Sequence, residues 1–210
     1  MPVMLKDGRA VLFVHVPKCG GTTVERLFTT SGWDMRYRST SPSAPKVFPL
    51  LRVSPQHYHG ALLTEVFNLR RFDLVFLISR HPVSRFRSEF AMRHKHLGHL
   101  DTVDSAVVDE WADRFFSRYA DNHYAHDNHL RRQVDFLVPD AEVFRLEDGM
   151  DSIVADLNAR FDLDLRTTIP RRLSSAARGL PSSAVEVSPQ LLAHLHEFYA
   201  DDFERFGYLG

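Results

Sequence analysis

Two short stretches of the chain are almost solidly apolar. They are Val11-Leu12-Phe13-Val14-His15-Val16 and Leu74-Val75-Phe76-Leu77-Ile78. Runs of this length, rich in β-branched and aromatic residues, read as strands buried on both faces. The first breaks into Pro17-Lys18-Cys19-Gly20-Gly21, and residues 22–28 then read as a helix with Gly32 as its stop. The second ends at Ser79-Arg80-His81-Pro82. A helix follows, with Pro82 in its first turn and Val83, Phe86 and Phe90 along its inner face.

The pattern continues more weakly downstream. Residues 39–55, rich in Ser and Pro, read as a loop with one short strand at 47–51. A short helix is predicted over 60–69, a loop over 94–100, a helix over 103–119 and a strand over 142–146. Asp151 is placed to cap a helix carrying Ile153, Leu157 and Phe161. Residues 167–187 read as a long polar loop. Ser188-Pro189 then opens a last helix, with Leu192, Leu195, Tyr199 and Phe203 on one face. Strands alternating with helices predict an α/β fold, a central parallel sheet flanked by helices on both sides. With no internal repeat and no linker, residues 1–210 are expected to form a single domain.

Charge narrows the function classes. Lys and Arg total 26 against 27 Asp and Glu, a formal charge of −1. That argues against a nucleic-acid binder held by phosphate neutralisation, while leaving room for a local basic pocket. The single cysteine, Cys19, allows no intrachain disulfide. Lys6, Asp7 and Arg9 interrupt the N-terminus, and the apolar run after them is too short to span a bilayer, so a soluble, cytoplasmic chain is expected.

The strongest chemistry lies at the end of the first strand. Gly20 and Gly21 let the backbone approach an anion closely. The helix that starts beside them aims its free N–H groups and its dipole at the same point. Lys18 adds charge, and Thr22 and Thr23 add hydroxyls. The order of residues differs from G-x-x-x-x-G-K-[ST], because Lys18 precedes the glycines, and no strand-terminal Asp stands ready for Mg²⁺. Arg80, at the end of the second strand, offers a planar fork suited to phosphate. Ser84 and Ser88 share a face of the helix that follows, so Arg80 and Ser88 together could grip one phosphate. The structural alternative is an Arg80 that caps carbonyls or pairs with Glu89. Two anion sites in one small domain suit a nucleotide with phosphates at two separate positions.

At this point the chain resembles a known family. His15-Val16-Pro17-Lys18-Cys19-Gly20-Gly21-Thr22-Thr23 and Arg80-His81-Pro82-Val83-Ser84-Arg85-Phe86-Arg87-Ser88 are similar to the two cofactor motifs of sulfotransferases that use 3′-phosphoadenosine 5′-phosphosulfate (PAPS). The likeness is nearest to the carbohydrate branch (sulfotransferase family 2), with the heparan sulfate 2-O-sulfotransferases and bacterial relatives. Asn128-His129 with Gln133 and Phe136-Leu137, Phe144 to Asp148, and Tyr199 to Tyr208 extend it almost to the C-terminus. His81 departs from the usual Asp or Asn, a position expected to tune the helix cap.

The resemblance implies a P-loop-like three-layer sandwich. It implies PAPS as donor and 3′,5′-adenosine bisphosphate (PAP) as product. The 5′-phosphosulfate would lie on Lys18, Cys19, Gly20, Gly21, Thr22 and Thr23, and the 3′-phosphate on Arg80 and Ser88. No metal is expected. The acceptor would be a hydroxyl, of a saccharide or glycolipid. In-line transfer needs an oriented donor, charge stabilisation, for which Lys18 is placed, and a base. His59 is the expected base, supported by a His-x-His pair in the family, with His57 as helper. In an extended segment the two rings would point the same way. Glu25 is a rival base and Glu65 a weaker one.

His94, His96 and His99, and the group His123, His126, Asp127 and His129, read as solvated loop residues better than as metal sites. Cys19 reads as a small residue tolerated in the loop rather than a reactive thiol. Arg171, Arg172 and Arg178 lie in a loop that could close over the site. A P-loop kinase is the rival activity, opposed by the position of Lys18 and the missing Mg²⁺ ligand. A non-catalytic nucleotide-binding module is the third reading, opposed by the presence of a base.

Overall fold

The computed structural model describes residues 2–37, 51–168 and 179–208. Most of the short strand expected at 47–51 lies outside these residues, as do Arg171, Arg172 and Arg178; Leu51 itself is in a bend.

The described residues form an α/β fold around a five-stranded sheet of order β3-β1-β2-β4-β5. The two apolar runs supply β2 (Arg9–Val14) and β4 (Leu74–Ser79). They pair in parallel, Phe13 opposite Phe76, and β4 pairs in parallel with β5 (Glu142–Arg145). Every residue of β4 is buried, so both of its faces are covered.

The expected all-parallel sheet is corrected at the other edge. β1 (Val3–Lys6) and β3 (Asp34–Arg36) are antiparallel additions. The cause is local. Asp7 and Gly8 both take positive φ, 50° and 79°. That makes a two-residue hairpin turn, which can join only antiparallel strands.

The helices are α1 (Gly21–Thr30), α2 (Gly60–Val66), α3 (Pro82–Arg93), α4 (Ser105–Asp121), α5 (Met150–Phe161), α6 (Pro189–Phe198) and α7 (Ala200–Arg205). Three expectations change here. Asp104 caps α4 by accepting from the Ala106 amide. Gly149, at φ 88°, occupies the cap position of α5, leaving Asp151 in the first turn. The predicted last helix breaks at Tyr199 into α6 and α7. Its buried stripe is Leu191, Leu195 and Tyr199, while Leu192 is exposed.

Two cores result. Sheet residues pack with Val24, Leu27 and Phe28 of α1 and with Ile153, Val154 and Leu157 of α5. Phe13, Phe28 and Phe144 gather round Phe76 at ring separations of 5.0, 6.0 and 6.1 Å. Each such ring contributes about 1.5–3 kcal/mol by leaving water. The second core joins α3, α4, α6 and α7 through Phe86, Phe90, Val108, Ala112, Leu195 and Phe203. Because β2, β4 and β5 run in parallel, the segments that leave their carboxyl ends meet at one edge of the sheet, where open α/β folds place their ligands. Among the described residues, no helix is long and apolar enough to cross a membrane.

Candidate active site

The segment after β2 is a tight loop running into α1. Lys18 has φ 69° and Gly20 φ 83°, both left-handed. Lys18 bears this conformation at a cost of about 1–2 kcal/mol, as a residue with a Cβ. Gly20 lies against Leu146 and Met150, so the segment after β5 forms one wall of the loop. The space a Cβ on Gly21 would need is filled by the His15 ring. α1 begins at Gly21 with no side-chain cap, and no acidic residue stands in its first turn. The helix end therefore presents orphan N–H groups and an uncompensated positive dipole. Thr22 is exposed and Thr23 half-buried at its mouth. Burial pushes the Lys18 ammonium below the usual lysine range, with Arg80 and Lys95 adding to the shift and Glu89 opposing it. An anion arriving here finds a partly desolvated cation.

Arg80 closes the loop from the β4 side. Its Nη1 donates to the Lys18 carbonyl at 3.2 Å. Gln133, fully buried, grips the Arg80 backbone: its Oε1 accepts from the Arg80 amide at 2.9 Å, and its Nε2 donates to the Arg80 carbonyl at 2.8 Å. The same Oε1 accepts from the Cys19 thiol at 3.3 Å. One amide side chain thus joins both anion motifs. Asp202 of α7 holds Gln133 in turn, accepting from the Gln133 and Val134 amides. Arg85, buried on α3, donates to the Pro17 carbonyl and to the carbonyls of His129 and Arg131. Ser84 and Ser88 lie one turn apart on α3, both half-buried.

Beside the loop sits a buried chain of histidines, each paired through Nδ1 with a carboxylate. His15 meets Glu25 at 3.0 Å, His57 meets Asp127 at 2.8 Å, and His129 meets Glu89 at 2.6 Å. The His57 ring stands edge-on to both others, 5.0 Å from His15 and 4.9 Å from His129. Burial pushes His57 down to about 3, with Asp127 opposing the shift. The ring is therefore neutral near pH 7. An ionised carboxylate only accepts, so Nδ1 carries the proton and Nε2 keeps its lone pair. Asp127 also accepts from the Ser54 amide and hydroxyl. Burial disfavours its charge, but the bonds from His57 and Ser54 hold it well below the usual carboxylate range. His126, Asp127 and Asn128 all have positive φ, between 55° and 64°. Three successive left-handed residues are strained backbone, of the sort that tertiary contacts must hold in place. Asn128 supplies one such contact, donating to the His57 carbonyl at 2.9 Å.

This geometry is that of an anion cradle with a carboxylate-oriented histidine next to it. Residues 2–209 match the sequence profile described as Sulfotransferase family. The chain belongs to sulfotransferase family 2. Among curated proteins and among solved structures, no chain matches it significantly.

Within this sulfotransferase, several expectations change. His57 and His59 do not point the same way. Pro55–His57 is a turn of 3-10 helix, so the two-residue alternation of an extended strand does not apply. His57 faces His15 and His129, whereas His59 faces Tyr124 and lines a cleft of about 500 Å³ with Tyr119, His123, Arg131, Asp135 and Phe198. The Nδ1 of His59 has no hydrogen-bond partner among the described residues. Burial, with Arg131 adding to it, lowers its pKa. Glu25 is buried and holds His15 and Gln56; Glu65 is exposed on α2.

Arg80 does not pair with Glu89, which instead holds His129 and Arg93. The His81 side chain makes no cap bond to α3, although its amide donates to Glu147. Cys19 is buried, and burial pushes its thiol up to about 12, which fits the packing role and removes the reactive one. The reading of His123, His126, Asp127 and His129 as solvated loop residues is corrected for two of them: Asp127 and His129 pack into the cluster with His57, while His123 faces the cleft. His94 stacks on Phe90, and its Nδ1 lies 2.9 Å from the Phe90 carbonyl.

The sequence reading missed Asp127 as the partner of His57, Glu89 as the partner of His129, and the clamp made by Gln133. The Asp127–His57 and Glu89–His129 pairs span 70 and 40 residues, so no local spacing announces them.

Proposed function

We propose that this sulfotransferase moves the sulfuryl group of PAPS to an acceptor hydroxyl, by in-line transfer with His57 as the base. The observation that carries the reading is the placement of a neutral, Asp127-oriented histidine beside an anion cradle built from two motifs. The residues present fit the donor. The N-terminus of α1 carries no side-chain cap, Arg80 reaches the Lys18 carbonyl in the loop before it, and the buried Nε of Arg87 on α3 has no hydrogen-bond partner among the described residues. We read the fold as a P-loop-like three-layer sandwich and residues 1–210 as one such domain.

PAPS, when bound, supplies an activated sulfuryl group on a phosphate leaving group. Lys18 with Cys19, Gly20, Gly21, Thr22 and Thr23 would hold the 5′ end, and Arg80 with Ser88 the 3′-phosphate. Lys18 would supply the positive charge for the leaving phosphate oxygen. Asp127 fixes the His57 tautomer, and the free Nε2 takes the proton of the acceptor hydroxyl. The cleft beside His59 offers aromatic faces at Tyr119 and Phe198, with Arg131, His123 and Asp135 for hydroxyl groups. That lining suits a saccharide, and His59 then serves acceptor binding.

Labelled sulfuryl transfer from PAPS to a panel of sugar acceptors tests this assignment. His57→Ala is expected to lower kcat by about 10²–10⁴-fold, in the range of general-base catalysis. His59→Ala should act mainly on KM. A His57→Ala protein with near-normal kcat beside an inactive His59→Ala would return the base to His59.

A further inference from the structure

The histidine–carboxylate cluster has a second chemistry that sulfuryl transfer does not use. One ring nitrogen each from His57 and His129 and one carboxylate oxygen of Asp127 lie within 4.8 Å of one another. Tetrahedral zinc sites draw their ligands from this set, with bonds near 2.0–2.2 Å and a fourth position open to water. The donors come from two segments that hold each other in place. His57 ends the 3-10 turn Pro55–His57, and Asn128 holds its carbonyl. Asp127 is tied to Ser54 through two hydrogen bonds. The Nδ1 of His129 is bonded to Glu89, which Arg93 also holds. That last contact has the form of the carboxylate–histidine pair that orients metal-ligating imidazoles from the outer shell. Two imidazoles and one carboxylate suit Zn²⁺, Co²⁺, Ni²⁺ or Cu²⁺ rather than Mg²⁺ or Ca²⁺, which favour oxygen ligands alone.

We propose that His57, Asp127 and His129 form a site for a divalent transition-metal ion, Zn²⁺ in particular, and that an ion held there inhibits the enzyme. It engages His57 and Asp127 together, so the ring can no longer take a proton from the acceptor while oriented by its carboxylate. The inhibitory half rests on the reading of His57 as the base; the binding half does not.

The test is a titration of the full chain, stripped with chelator, with Co²⁺ followed by its d–d absorption. One equivalent should give an intense, low-coordinate spectrum that Zn²⁺ abolishes. Asp127→Asn and His129→Gln should each weaken binding about 10–100-fold. Melting curves in chelator report whether each variant is folded, and the two together keep the test open if one is not. His96→Gln and His99→Gln, in the exposed loop after α3, should leave the spectrum unchanged.

The binding proposal is overturned by a weak spectrum without stoichiometry, or by binding that survives both cluster variants and falls with the loop variants. Zn²⁺ should suppress sulfuryl transfer over the same concentrations at which it displaces Co²⁺. Stoichiometric binding with undiminished turnover would overturn the inhibition. Should His57→Ala stay active, the base assignment fails, and the Co²⁺ titration still decides the site.

Discussion

Gln133 is the side chain on which the two anion motifs depend together, and replacing it with Leu isolates that dependence. Leu is close in volume, although it branches at Cγ rather than Cδ, so the packing term is small beside the polar one. What goes is the polar clamp. The Arg80 amide loses its acceptor at 2.9 Å, the Arg80 carbonyl loses its donor at 2.8 Å, and the Cys19 thiol loses its acceptor at 3.3 Å. Gln133 is fully buried, so water does not readily replace it. An orphaned buried backbone group costs about 1–3 kcal/mol, which for two of them gives on the order of 2–6 kcal/mol. In a domain of this size about 1 kcal/mol moves Tm by roughly 2–4 °C, so the expected fall is on the order of 4–24 °C. Differential scanning calorimetry of Gln133→Leu against wild type reads it directly. Gln133→Glu keeps an acceptor for the Arg80 amide and the thiol but turns a carboxylate toward the Arg80 carbonyl, so it should also destabilise. A Tm change of under about 2 °C for Gln133→Leu would refute the clamp. So would PAP affinity unchanged in the folded variant, since Arg80 would then keep its place without Gln133.

Two further outcomes follow from the loop. Gly21→Ala puts a Cβ into the His15 ring, which is walled by Phe13 and His57 and bonded to Glu25. Overpacking of this kind costs about 1–3 kcal/mol; urea denaturation should show it, and an unchanged midpoint would mean the ring can step aside. Cys19, with its thiol pushed up to about 12 and only 1% exposed, should resist iodoacetamide at pH 8 in the native state and react once unfolded in urea; labelling of the folded protein within minutes would contradict its burial.

The parts legible in the sequence are those written in local patterns. The runs at β2 and β4 stand out because strands buried on both faces need no alternation. Lys18, Gly20 and Gly21 were readable because the loop's chemistry lies in one contiguous segment. The first hairpin was not read: Asp7-Gly8 is its turn signal, but β1 is short and one end of it is open to solvent, so its apolar signal is weak. β3 has only three residues, none of them buried, and carries almost no pattern. The break at Tyr199 was hidden because the apolar spacing continues across it; its hydroxyl donates to the Leu130 carbonyl, a tertiary contact no window sees. The same limit governs the site. Two histidines at i and i+2 share a face only in extended chain, and a 3-10 turn ending at His57 separated them. Asp127, Glu89 and Gln133 earn their roles by folding, across 40 to 70 residues of sequence, and only coordinates join them.

In the proposed reading, Lys18 and Arg80 build a site for a nucleotide with phosphates at two positions. The most direct test is calorimetric titration of PAP into the full chain, with 5′-AMP and ATP–Mg²⁺ as comparisons and melting curves alongside. A ligand that binds only the folded state adds about 2.7 kcal/mol of stability at one hundred times its Kd. Stoichiometric PAP binding and a raised Tm are expected, both lost in Arg80→Ala, with 5′-AMP much weaker. Binding of ATP–Mg²⁺ without binding of PAP would contradict it.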